Sequence, residues 1–123
     1  MPVGTQDALN AMIYAPYHRR MRENLRRLVT DELIAAHNAD PLGPPSDDLR
    51  RILTYFAALP IDGNLIVERD SERFWHVCRL IGSPPYRADR IAGPFTSQRD
   101  ALAVIFMRRL AEVLDVSLEA HHV

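Results

Sequence analysis

Lysine is absent from the sequence, and all 15 basic residues are arginine. Arginine suits bidentate, partly buried ion pairs at interfaces, although a genome rich in arginine codons explains the bias more simply. A single cysteine, Cys78, excludes an internal disulfide and any cysteine-rich zinc module. Five scattered glycines exclude a phosphate-cradling loop of the Walker or dinucleotide-binding type. No Gly-x-Ser-x-Gly elbow is present. Apolar runs are too short to cross a bilayer, and no basic-then-apolar leader opens the chain, so a cytoplasmic protein without membrane association is expected. Neither sign of charge dominates. The net charge of −1 supplies no general attraction to nucleic acid.

The 123 residues suffice for one domain, and the 47% apolar content can fill its core. Residues 1–16, with Pro2, Gly4 and Pro16, read as an N-terminal arm containing at most a short helical turn. The apolar residues Ile13, Tyr14 and Tyr17 suggest that the arm docks on something. Residues 17–115 form the expected domain and 116–123 a tail. Tyr17, Met21, Leu25, Leu28 and Leu33 recur at helical spacing, which predicts a first helix over 17–38, ended by Pro41. A rigid Pro41-Leu42-Gly43-Pro44-Pro45 connector follows. Ser46 is a good N-cap with Asp47 and Asp48 behind it, so a second helix is expected over 47–58, with Leu49, Ile52, Leu53 and Phe56 buried.

The periodicity then changes from helical to alternating. Leu65-Ile66-Val67 reads as a strand, and Phe74–Ile81 as a second. In the second, Trp75, Val77 and Arg79 share one face while His76, Cys78 and Leu80 share the other. A third strand is expected over Tyr86–Ile91. Ser97 and Asp100 have capping-box spacing and open a last helix over 98–114, with Leu102, Ile105, Phe106, Leu110 and Val113 as its stripe. The fold class is therefore α+β: a helical hairpin, a small antiparallel β-meander and a C-terminal helix, in the order α-α-β-β-β-α.

The search for chemistry yields no catalytic residue and no cofactor or metal site. His76 and Cys78 point to one strand face, as two metal ligands or a Cys–His pair would, but a site needs further ligands from distant positions such as His18 or His37. Core and edge packing explains both residues more simply. Asp47-Asp48 is explained by helix-start electrostatics. The Arg19–Arg27 cluster, with Arg50-Arg51 opposite, is the one nucleic-acid signal, but acidic Asp31 and Glu32 follow it. Ion pairs to a protein partner or a solvated face account for it better. Tyr14, Tyr17, Arg22, Arg26, Arg50, Arg51, Tyr55 and Trp75 are the candidate partner interface, being the aromatic and arginine types enriched at interfaces.

The pieces Ala36-His37-Asn38-Ala39-Asp40-Pro41-Leu42-Gly43, Leu49-Arg50-Arg51 with Tyr55-Phe56, Pro60 to Gly63, Trp75 with Arg79, and Asp100-Ala101 through Val104-Ile105-Phe106-Met107-Arg108-Arg109 follow one another in a recognisable order. Over Met21 to Val113 the chain resembles the small subunit of N,N-dimethylformamidase. The resemblance implies a structural subunit that pairs with a much larger chain, which carries a mononuclear iron and hydrolyses the amide. It places no catalytic residue on this chain. Two alternatives stand beside it. One is a small binding module, engaging nucleic acid through Arg19–Arg27 or forming a homodimer. The other is a small metal- or cysteine-dependent enzyme centred on His76 and Cys78.

Overall fold

The computed structural model describes the backbone over residues 3–117 and the side chains over 15–117. Four helices and three strands follow in the order α1 (Val3–Leu28), α2 (Asp31–Ala39), α3 (Asp47–Ala57), β1 (Leu65–Arg69), β2 (Trp75–Ile81), β3 (Arg87–Phe95) and α4 (Gln98–Leu114). The α+β class and the helices–meander–helix order match the sequence expectation. The arm at 1–16 and the tail at 116–123 lie largely outside the described side chains.

The first helix differs from expectation at both ends. It is recorded from Val3 and continues through Pro16, although proline forfeits one helical hydrogen bond. It ends at Leu28 instead of reaching Asn38. Thr30 adopts an extended backbone (φ −127°, ψ 164°) and its hydroxyl accepts a 3.1 Å bond from the Leu33 N–H, which starts α2 afresh. Asp31 and Glu32 then occupy the turn where the helix dipole favours negative charge. The apolar stripe runs unbroken across this joint, with Leu25, Val29, Leu33 and Ile34 all buried, so periodicity alone merges the two helices.

The other two caps follow the sequence. The Ser46 Oγ accepts from the Leu49 N–H at 3.3 Å, and the Ser97 Oγ accepts from the Asp100 N–H at 3.1 Å. At its far end α4 stops on Asp115, which is left-handed (φ 57°). The Val116 N–H returns to the Leu110 carbonyl at 3.0 Å and turns Val116 back into the core.

The strands form one antiparallel sheet, β1-β2-β3. A turn over 70–74 joins β1 to β2. There the Asp70 Oδ1 accepts from the N–H groups of Glu72 (2.9 Å) and Phe74 (3.0 Å). β3 extends beyond its expected end at Ile91 to Phe95. Its register against β2 slips twice, between Trp75↔Phe95 and Val77↔Ala92 and again before Cys78↔Arg90. Each slip places an extra residue on β3, as in a β-bulge. Gly93 sits in the first with φ +121°, and a Cβ there would lie 2.9 Å from the Trp75 carbonyl oxygen and 3.0 Å from His76 Nδ1. Glycine is required at that point.

α4 is the spine of the molecule. One side of it packs on the sheet, where Ala101 and Ile105 meet Leu65 and Val77. Another side packs on the helices, where Phe106, Leu110 and Leu114 join Leu25, Ile34, Ile52 and Phe56. The expected stripe shifts accordingly: Ala101 and Leu114 are buried, while Leu102 and Val113 are only half-buried. α3 packs against α1, so the helical hairpin lies on the far side of α4 from the sheet.

Candidate partner-binding groove

The hairpin leaves a groove between α1 and α3. Because 3.6 residues make a turn, Tyr17, Met21 and Leu25 line up along one face of α1. Arg51, Thr54, Tyr55 and Ala58 do the same along and just beyond α3. Together with Arg50 these residues line a groove of about 470 Å³. A second hollow of about 340 Å³ shares Tyr17, Tyr55 and Ala58 and adds His18, Arg22, Leu59 and Pro60. The floor is apolar and aromatic and the rim is cationic. Among the described residues, no Asp or Glu lines either hollow.

Tyr17 is 52% exposed, among the most exposed large apolar side chains described. Its ring stands edge-on to His18 (5.4 Å, 74°), and His18 lies 6.3 Å from the Tyr55 ring. Arg50 makes a 3.3 Å, largely solvated pair with Asp47. Among the described residues, Arg22 and Arg51 have no carboxylate within ion-pair distance.

Five of the eight candidate interface residues therefore gather at two adjoining hollows: Tyr17, Arg50, Arg51 and Tyr55 line the groove, and Arg22 lines the hollow beside it. The Tyr14 side chain lies outside the described residues. Arg26 points elsewhere, 4.0 Å from the Asp115 carboxylate. Trp75 is remote: it is half-buried on the sheet face that packs on α4, with the Arg69 guanidinium 5.3 Å over its ring. Met21, Leu25, Thr54 and Ala58 were not singled out as interface residues. Their helical spacing from Tyr17 and Tyr55 was the available signal.

The reactive side chains of β2 are paired with or enclosed by their neighbours. His76 and Cys78 lie on the outer sheet face, as the alternation requires. The His76 Nε2 is 2.7 Å from the Asp70 Oδ2, and that bond above all holds the Asp70 carboxyl below the usual carboxylate range. Glu68 on β1 and Arg90 on β3 pair at 2.8 Å across the central strand. This closes over Cys78, which has no exposed surface. Burial, with Glu68 nearby, pushes the Cys78 thiol up, away from the reactive thiolate. Arg79, on the opposite face, pairs with Glu112 of α4 at 2.9 Å. No group of three His, Cys, Asp or Glu among the described residues could hold a metal ion.

Two polar residues are enclosed in a way the sequence did not indicate: His37 is buried and Arg109 half-buried. His37 stacks on Phe106 (3.9 Å, 19°) and meets the Asn38 Oδ1 at 2.9 Å, and burial lowers its pKa. Arg109 donates to the Asn64 Oδ1 (2.8 Å) and the Leu65 carbonyl (3.1 Å), tying α4 to the start of β1. Its buried Nε has no acceptor among the described residues. A helical stripe cannot show either, because each needs partners from other elements.

No described helix is long and apolar enough to cross a membrane. No curated protein matches the chain significantly. The family model of the N,N-dimethylformamidase alpha subunit matches residues 12–120, which takes in α2, α3, the whole sheet, α4 and most of α1. The order of pieces read from the sequence and the family match agree, and the chain belongs to the N,N-dimethylformamidase alpha subunit family.

Proposed function

We propose that this chain is the small, non-catalytic subunit of a heteromeric, metal-dependent amide hydrolase. It supports assembly with a large subunit that carries the iron and performs the hydrolysis. The observation that carries this reading is the family match over residues 12–120. The geometry is consistent with it, because His76, Cys78 and Asp70 are engaged in structural contacts. No group of three His, Cys, Asp or Glu among the described residues could hold a metal, in keeping with iron on the large subunit. What the chain does offer is a groove whose residue types suit a protein partner.

The test is co-expression with a large dimethylformamidase subunit. The two chains should co-purify at fixed stoichiometry, with iron on the large one, and hydrolyse N,N-dimethylformamide. Omitting the small chain should lower the yield of assembled enzyme. A chain that purifies alone, with no large partner, overturns the reading.

A further inference from the structure

We propose that the α1–α3 groove seats an acidic segment of the large subunit that inserts apolar side chains between Tyr17 and Tyr55; this rests on the accessory-subunit reading and specifies where and what the partner binds. The charge pattern selects the occupant. Among the described residues, three arginines and one histidine line the two adjoining hollows, and no carboxylate does. The floor of Met21, Leu25, Tyr55 and Ala58 calls for apolar contact, which phosphate backbones do not provide. A net charge of −1 also disfavours nucleic acid as the ligand. The face from Tyr17 to Leu25 is about 12 Å long at the rise of an α-helix. That length accommodates about two turns of a partner helix.

Two other hollows lack this signature. The groove of about 580 Å³ along α4 has both Arg108 and Glu112 on its walls. The hollow of about 190 Å³ beside Arg109 includes Asp62 and Glu112. Only the α1–α3 groove, among these, combines one sign of charge with an aromatic floor.

The experiment uses the assembled complex. Tagged and untagged small chains are exchanged in purified complex, and the dissociation rate is read. Tyr17→Ala and the double change Arg22→Glu, Arg51→Glu should each speed exchange by about tenfold or more. Arg99→Glu on α4, away from the groove, should leave the rate within about twofold; this is the ordinary tolerance of a surface change. All these side chains except Arg22 are exposed, and unchanged circular dichroism of each variant complex confirms its fold. A photo-crosslinking benzoylphenylalanine at Thr54 should attach to a large-subunit peptide rich in Asp and Glu. A complex that forms but exchanges at the parental rate in the variants overturns the groove while leaving the accessory-subunit reading intact. So does a crosslink to a basic or neutral peptide, to residues 118–123 of the chain itself, or to nucleic acid. Failure of any complex to form overturns both.

Discussion

His76 on β2 and Asp70 at the start of the β1–β2 turn meet at 2.7 Å, so the carboxylate that shapes the turn through its Oδ1 is anchored to the sheet through its Oδ2. The partners lie six positions apart in the chain, and the bond ties the turn end of the hairpin to β2.

This pair makes stability depend on acid. The Asp70 carboxyl is held below its ordinary value, first by the His76 bond and then by the backbone N–H groups of Phe74 and Glu72. A depressed carboxyl stabilises the fold fully above the unfolded value near 4, and the gain is lost as pH falls through the folded value. Asp70→Asn should lower stability at neutral pH and flatten its fall below about pH 4, the unfolded carboxyl range. Urea unfolding across that range checks both.

His37 acts in the same direction at higher pH. Burial lowers its pKa, only partly offset by Asn38. The unfolded chain therefore takes up the proton first. Stability from neutral His37 is complete above the unfolded value of about 6.5 and falls as pH drops through the folded value. His37→Leu should remove that slope. Truncating its stacking partner, Phe106→Ala, should cost about 3–5 kcal/mol at neutral pH, since Phe106 is fully enclosed between His37 and Phe56.

Gly93→Ala should destabilise by about 2 kcal/mol or more, because it combines a positive φ with a Cβ too close to the backbone of β2. Ser97→Ala, which removes one cap bond, should cost about 1 kcal/mol. Chemical denaturation of the two variants separates strain from capping.

Cys78 should resist thiol reagents in the native state. Labelling should be at least about a hundredfold slower than in denaturant and should follow global opening. Arg90→Ala removes one half of the pair that closes over it, and labelling should accelerate without loss of the fold. Rapid native labelling of the parent chain would show that the thiol is open.

Some of this was legible in one dimension. Ser46 and Ser97 are caps because a hydroxyl at the right offset serves the next turn wherever the helix packs. The two faces of β2 follow from alternation, and Val77 and Cys78 indeed turn opposite ways. Thr30 was hidden because its cap interrupts the backbone without interrupting the apolar stripe. β3 runs past Ile91, its expected end, because a bulge at Gly93 lets the strand continue through Pro94 to Phe95.

The sequence by itself determined the kind and order of the elements, most of their caps, the family and the residue types of the groove. These depend on local hydrogen bonding and on periodicities that a single segment carries. Only the tertiary structure decided that α4 stands between sheet and hairpin, that Tyr17 and Tyr55 share one groove while Trp75 is excluded from it, and that His76 and Cys78 serve different neighbours. Such choices depend on partners far apart in the chain, and nothing in the spacing along one segment records which other segment will cover it.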